Sequence, residues 1–321
     1  MVLPDLSTQA DLTMRVVVTG GAGFIGSHLT DAFVERGDTV LVVDNLSSGN
    51  RENVPDAAEL AEIDVADANE LRQRLEEFRP DLICHLAAQA SVTVSVTNPD
   101  LDFASNVRGT FNVCQVAARL QARVLFASTG GALYGNDAPI PSPETLVAQP
   151  LSPYGASKLA GEAFVSTQAR SEGLANAVLR LGNVYGPRQN AQGEAGVVAI
   201  FSDRLRGDET PIAYGYGKPT RDYIHVTDVT RAFLLAADRE RVGTFNIGWG
   251  KEVTVLELLD ALQRAAGTSV EPKLEPLRPG ELDRSAIDSS AAAEALGWRP
   301  EISLEEGVAE TYRWYAGGQG R

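Results

Sequence analysis

Thr19-Gly20-Gly21-Ala22-Gly23-Phe24-Ile25-Gly26-Ser27 follows the short apolar run Arg15-Val16-Val17-Val18 and leads into a helical pattern that begins near Phe24. A strand that turns on glycines into a helix makes an anion site. The first N–H groups of the helix have no partner inside it, and its dipole favours negative charge there. Gly20 permits the tight turn, Gly23 lets a pyrophosphate approach the backbone, and Gly26 lets the helix pack close to the strand. Alone, such a triplet is a weak signal, because glycine-rich turns are common. Three further features in the same order along the chain give it meaning.

The first is a second strand, over 39–43, that ends in Asp44. An acid about 20 residues past the glycines is placed to accept hydrogen bonds from an adenosine ribose. It also repels a 2′-phosphate, so Asp44 argues for NAD over NADP. The second is Asp64-Val65, after another short strand, where an acid can face the adenine amine. The third is Tyr154 and Lys158 in the run SPYGASK, one helical turn apart and so on one helix face. With eight tyrosines and four lysines in 321 residues, chance supplies such a pair only about 0.1 times. A phenol is a poor base at neutral pH unless positive charge nearby favours the phenolate. A tyrosine so helped takes a proton from a sugar hydroxyl while hydride leaves the carbon for NAD.

Size and composition fit this reading. The 321 residues suffice for one large α/β domain and a smaller one. The formal net charge of −15 disfavours nucleic acid and anionic membrane as partners, because both reward basic patches. It does not exclude an anionic substrate, which a few local arginines can bind. No run of 18 apolar residues occurs, so no membrane span is expected. Residues 1–13 read as a disordered extension. Cys84 and Cys114 read as buried small apolar residues, and His28, His85 and His225 do not cluster at metal-ligand spacing, so no metal is expected. The cytoplasm is the expected compartment.

From residue 14 strands and helices alternate. Strands are expected over 15–19, 39–43, 59–63, 82–86, 124–127 and 175–181, and helices over 24–36, 68–78, 100–120 and 154–172. Alternation with apolar strands predicts an α/β fold, a Rossmann-type doubly wound parallel sheet. Past 181 the pattern changes: a Gly/Pro/Asn-rich stretch, a helix over 197–206, the short strand RDYIHV, helices over 227–238 and 254–266, a strand over 269–272 and a last helix over 304–316. This gives an NAD-binding domain over 14–181, to which 227–248 returns, and a smaller C-terminal substrate-binding domain from 182–226 and 249–321. Ligands of such sheets bind at the carboxyl ends of the strands, where Gly20, Asp44, Ala87 and Ser128 fall.

Taken together, TGGAGFIGS, DNLSSG, HLAAQASV, NVRGT, STGGALYG, YGASK, LRLGNVYGPR, RDYIHV and RPGE resemble the extended short-chain dehydrogenase/reductase superfamily, and within it the nucleotide-sugar epimerases, over most of the chain. The resemblance implies 4-epimerisation of a UDP-hexose through a transient 4-keto sugar, with tightly held NAD. It implies that Phe24 and Ile25 cover the pyrophosphate with Gly23, that Asp44 and Asn45 hold the ribose, and Asp64 and Val65 the adenine. Leu86, Ala87 and Ala88 would line the cofactor, with Asn106 nearby. Tyr154 would be the base and Lys158 would hold the nicotinamide ribose. Asn183 would meet the sugar diphosphate, which Arg221 and Arg278 would clamp. Gln89, Ser91, Val197 and Tyr214 would complete the substrate contacts. Family members dimerise through two helices of each subunit, so a homodimer is expected through the helices near 100–120 and 152–172.

One position departs from the family. Many relatives carry a Ser or Thr hydroxyl four residues before the Tyr of the YG pair, and here that position is Gly130, before Tyr134-Gly135. Thr129 and Ser128 are the nearest hydroxyls and the candidates to replace it, with a water and backbone N–H groups as the alternative. The stretch also argues against the related dehydratases, which need an added acid and base. Gly130, Gly131, Ala132 and Leu133 contain no ionisable group. Ser285, aligned on RPGE and Asp288, falls beside the sugar C2 substituent and leaves room for an N-acetyl group, extending the expected substrates from UDP-glucose/UDP-galactose to UDP-GlcNAc/UDP-GalNAc. The alternatives on this scaffold are a uronate epimerase, a decarboxylase or a 4-keto reductase; a non-catalytic NAD-binding protein is the alternative of another class.

Overall fold

The computed structural model describes residues 13–192, 196–278 and 282–318. The expected N-terminal extension lies, but for Thr13, outside them. The first half runs β1 (Arg15–Thr19), α1 (Phe24–Glu35), β2 (Thr39–Asp44), β3 (Glu59–Glu62), α2 (Ala68–Phe78), β4 (Leu82–His85), α3 (Val92–Thr97), α4 (Pro99–Asp102), a π-turn (Phe103–Arg108), α5 (Gly109–Leu120), β5 (Arg123–Thr129), α6 (Pro153–Glu172) and β6 (Ala177–Leu181). The second half adds β7 (Asn183–Tyr185), α7 (Val197–Arg206), β8 (Ile212–Tyr214), β9 (Thr220–Arg221), β10 (Tyr223–His225), α8 (Val226–Arg239), β11 (Gly243–Ile247), β12 (Val253–Thr254), α9 (Val255–Ala266), β13 (Lys273–Glu275), α10 (Ser290–Leu296) and α11 (Leu304–Ala316).

Seven strands form one parallel sheet in the order β11-β6-β5-β4-β1-β2-β3. This is a Rossmann-type doubly wound fold. Successive side chains of a strand face opposite ways, so the valines of β1 divide between two cores. Val16 and Val18 pack with Leu29 and Phe33 of α1 and with Val229 and Phe233 of α8. Val17 packs with Leu71 and Leu75 of α2, Val113 of α5 and Val165 of α6. Each fully buried Leu or Phe contributes about 1.5–3 kcal/mol over its exposed state, which locks the helices to the two faces. The chain crosses from β3 to β4 on the far side of β1, so the topological switch point opens between β1 and β4. A third core, of Tyr185, Phe201, Leu205, Tyr223, Leu258, Leu262 and Val308, joins α7, α9 and α11.

Four expectations are corrected. The helix over 100–120 starts at Pro99, capped by Asn98, and is broken by the π-turn. The strand expected over 269–272 forms instead at Lys273–Glu275, paired with β8. RDYIHV is two strands, β9 and β10, because Asp222 between them turns its carboxylate to the N–H groups of Trp249, Gly250 and Ile287. Ala292, Leu296 and Trp298, expected in the smaller domain with the rest of 249–321, pack into the sheet core. Cys84 and Cys114 are buried and unpaired. Among the described residues no cluster of metal-ligating side chains occurs and no helix is long and apolar enough to cross a membrane.

Candidate active site

The glycine turn is built as its spacing requires. Gly20 has φ +72°, and a Cβ there would lie 2.7 Å from the Ala87 nitrogen, so the turn presses on the end of β4. A Cβ on Gly26 would lie 2.1 Å from the Gly20 carbonyl oxygen, so α1 starts in contact with the turn. Gly23 is the N-cap of α1, with no side-chain cap and no acid in the first turn, and Phe24 and Ile25 open the helix. Its N-terminal N–H groups therefore face the switch point with no anion of the protein's own.

Asp44, at the end of β2, is buried and accepts from the Ala22 nitrogen at 3.0 Å and the Leu46 nitrogen at 2.8 Å. Burial raises its pKa, opposed by those two donors. Asn45 donates to Asp64 at 3.0 Å, tying the ends of β2 and β3. Val65 turns its side chain into the core, against which Gly109 packs, so only its backbone is available to a ligand. At the end of β4, the Leu86 and Ala87 nitrogens donate to Thr19 Oγ1, whose hydroxyl donates to His85 Nδ1 at 2.7 Å; Ala88 follows. Burial and the Lys158 charge push His85 down to about 3, so it is a neutral spacer. These residues fit NAD: an uncapped helix N-terminus for the pyrophosphate, a carboxylate for the ribose, and glycines where a Cβ would fill the cradle.

Tyr154 and Lys158 stand on α6, started by Pro153 in its first turn and by Ser152, whose hydroxyl accepts from the Gly155 nitrogen at 3.2 Å. Thr129, the last residue of β5, stands by the Tyr154 hydroxyl and favours its phenolate. Burial pushes Tyr154 up to about 12, Thr129 opposes this, and the charge of Asp102 adds to it. Lys158 is 4 % exposed; its ammonium donates to the Ala127 carbonyl at 3.0 Å and lies 5.0 Å from the centre of the Phe126 ring. Burial lowers it to about 8, against the charges of Asp102 and Glu162.

Ser128, the other candidate hydroxyl, does not serve Tyr154. It donates to Glu162 at 2.5 Å, and Glu162 is held by Arg180 through two bonds of 2.9 and 2.6 Å. Arg180 also donates to Tyr134, which donates to Asn246. The absence of a side chain at Gly130 has a packing counterpart: a Cβ there would lie 2.7 and 2.9 Å from two methyl carbons of Ile287.

The remaining expected residues divide. Asn183 lies beside Gly131 and near Thr129, and its buried Oδ1 has no partner among the described residues. Asn106 is buried and exchanges hydrogen bonds with the Gln89 backbone. Gln89 turns its side chain back onto the Ser91 backbone and Asp102 rather than outward. Ser91 is the N-cap of α3, its hydroxyl accepting from the Val94 nitrogen at 3.0 Å. Val197 opens α7, whose N-terminus has no side-chain cap. The Arg278 guanidinium stacks 4.6 Å from the Tyr214 ring centre. Arg221 ends β9, where the Thr220 nitrogen donates to the Asp283 carbonyl and so holds the chain leading to buried Ser285. Pro279, Gly280 and Glu281 of RPGE lie outside the described residues.

The sequence profile of the NAD dependent epimerase/dehydratase family matches residues 16–248. The chain belongs to this family. Over 310 residues it is 43% identical to a UDP-glucose 4-epimerase of Mycolicibacterium smegmatis, covering 94% of this chain and 98% of the relative. A UDP-glucose 4-epimerase of Thermotoga maritima, solved with UDP-glucose, superposes with a TM-score of 0.93 at 42% identity, covering 95% of this chain and 99% of the other. One from Thermus thermophilus, solved with NAD, superposes with a TM-score of 0.89 at 42% identity and the same coverage. Within this epimerase/dehydratase fold, sequence reasoning missed Asp102, Glu162, Arg180 and Ile287. Glu162 had a signal, standing two turns after Tyr154 on its helix face; Ile287 had none, because only the fold brings it to Gly130.

Proposed function

We propose that the chain is an NAD-dependent 4-epimerase of UDP-hexoses, UDP-glucose and UDP-galactose first. The observation that carries the reading is Tyr154 one helical turn from buried Lys158 on α6, with Thr129 beside the phenol and no ionisable group in Gly130–Leu133 to divert a keto sugar toward elimination. Tyr154 takes the proton of the sugar 4-hydroxyl, Thr129 fixes the phenol and the substrate oxygen, and Lys158 supplies positive charge for the phenolate. Bound NAD supplies the hydride acceptor for C4 and the donor for its return. Tyr154 then hands the same proton back to the carbonyl oxygen, on a sugar that has presented its other face, and C4 is inverted. Asn183 Oδ1 accepts from the substrate, and Arg221 and Arg278 neutralise the diphosphate, for which planar guanidinium donors suit. The described part of the third core, with β9 and the chain through Ser285, forms the substrate-binding domain over the sheet ends.

Ser285 is small and 8 % exposed, which supports turnover of UDP-GalNAc as well. A homodimer is supported by Val96, Leu101, Phe103 and Phe111, which leave 57, 46, 53 and 42 % of their surface exposed along α3–α5, with Phe111 meeting Phe164 of α6 edge to face. That is a larger apolar stripe than a solvated helix pair needs. The cytoplasm fits two buried reduced thiols. The test is incubation of the purified protein with UDP-galactose and with UDP-GalNAc, followed by proton NMR of the anomeric region. The reading requires C4 epimers, lost in Tyr154→Phe. No change in UDP-galactose refutes it, and no change in UDP-GalNAc removes the wider pocket. Conversion of UDP-GalNAc that persists in Ser285→Tyr also removes the role of Ser285.

A further inference from the structure

Two acids and two bases are buried around α6, and they do not pair evenly. Glu162 is taken by Arg180 in a two-bonded ion pair, 8 and 7 % exposed, and by the Ser128 hydroxyl. That leaves Lys158, whose hydrogen bond goes to a neutral carbonyl, and Asp102. Asp102 ends α4, is 2 % exposed, and is held by neutral donors: Gln89 Nε2 at 3.0 Å and Asn106 Nδ2 at 3.0 Å. Asn106 Nδ2 also donates to the Ser157 hydroxyl at 3.1 Å, and Ser157, which precedes Lys158, donates to the Tyr154 carbonyl at 2.9 Å, so this cluster grips the helix turn that carries both groups. An isolated carboxylate in such a place is costly unless an opposite charge faces it.

We propose that Asp102 is a positioning residue: its carboxylate is the counter-charge that keeps Lys158 an ammonium, and its hydrogen bonds fix Gln89 and Asn106, and through Asn106 the Ser157 hydroxyl, around the Tyr154–Lys158 turn. The inference deepens the epimerase reading and rests on it for its effect on rate, not for its effect on Lys158. The other groups facing Lys158 are accounted for. Glu162, from α6 itself, has its charge bound by Arg180 from β6; His85, from β4, is neutral; Arg108, from the π-turn, is exposed; and Tyr154 is a phenol. Asp102 also holds the Tyr154 proton in place, so its charge shifts both members of the pair in the same direction.

Asp102→Asn keeps the shape and removes the charge. The chain has four lysines, of which only Lys158 is buried among the described residues, so its Nζ can be followed by nitrogen-15 NMR in the intact protein. The expected result is a Lys158 titration midpoint lower by about one unit in Asp102→Asn, with variant-to-wild-type kcat falling roughly tenfold from neutral to alkaline pH. Asp102→Glu is expected to restore the shape of the profile. An unchanged midpoint, or profiles that differ only by a constant factor, overturns the inference and leaves Asp102 a structural residue. A shifted midpoint with no epimerisation by wild type would refute the epimerase reading alone. If Asp102→Asn does not fold, Asp102→Ser, smaller and also neutral, gives the same two readouts.

Discussion

Thr129→Val removes one hydroxyl and replaces it with a methyl group of the same shape. Thr129 is 9 % exposed at the end of β5, so folding loses little, but the Tyr154 phenol loses the hydroxyl beside it that favours its charged form. Hydrogen bonds to a group that becomes charged contribute about 1.5–3 kcal/mol, which corresponds to roughly a ten- to hundredfold fall in kcat. Restoring the family hydroxyl at the neighbouring position does not compensate. A Cβ on Gly130 would stand 2.7 and 2.9 Å from Ile287 carbons, against ordinary contacts of 3.4–4 Å. Neither side can move freely. Gly130 donates to the Leu181 carbonyl at 2.7 Å, and Ile287 is fully buried with its nitrogen on Asp222. Overpacking of this kind costs about 1–3 kcal/mol. Gly130→Ser in the Thr129→Val background is therefore expected to stay inactive, and adding Ile287→Ala, which deletes both clashing carbons, to recover part of the rate. Conversion of UDP-galactose, coupled to oxidation of the UDP-glucose formed, measures all four proteins. Thr129→Val within twofold of wild type, or full rescue by Gly130→Ser without the change at Ile287, would refute the argument.

Gly26→Ala must push the start of α1 away from the Gly20 carbonyl by more than an ångström, so a drop of several degrees in melting temperature and loss of co-purifying NAD are expected, from a packing cost of about 1–3 kcal/mol; unchanged NAD content by absorbance would count against the role of this contact. Lys158 has its folded pKa lowered to about 8 from 10.5. Between these values the unfolded chain binds more protons than the folded one, so the stability from this group rises with pH while activity that needs the ammonium falls. Calorimetry should therefore show the advantage of Lys158→Met over wild type shrinking from neutral pH toward 10.5. The paired substitution Phe103→Glu with Phe111→Glu places charge on the exposed apolar stripe and should yield a monomer by light scattering at micromolar concentration; a wild type that is already monomeric would remove the dimer.

Most of the sheet, and the glycine turn and Tyr–Lys pair from which a cofactor site is proposed, were legible in the sequence. Glycine spacing, an acid at a strand end and a Tyr–Lys pair one turn apart are local statements, and local geometry makes them readable: a positive φ needs Gly20, and 3.6 residues per turn put Tyr154 and Lys158 on one face. Where an expectation slipped, a distant segment had intervened. The strand placed at 269–272 formed at Lys273–Glu275 because β8 offers its pairing edge there. Gln89 and Ser91, expected on the sugar, spend their side chains on Asp102 and the start of α3.

The sequence by itself determined the doubly wound fold, NAD as the cofactor and the placing of Tyr154 and Lys158 on one helix face, because each rests on backbone conformation or on spacing within one element. It left Thr129 and Ser128 as the nearest hydroxyls to the missing one, with a water and backbone N–H groups as the alternative. Tertiary structure separates the two hydroxyls: adjacent strand residues face opposite sides, so Ser128 meets the buried Glu162–Arg180 pair and Thr129 the side of Tyr154. Tertiary structure also decided why Gly130 stays a glycine, since Ile287 arrives from the far end of the chain to fill its place. Which side chain fills a given space depends on segments that meet only after folding.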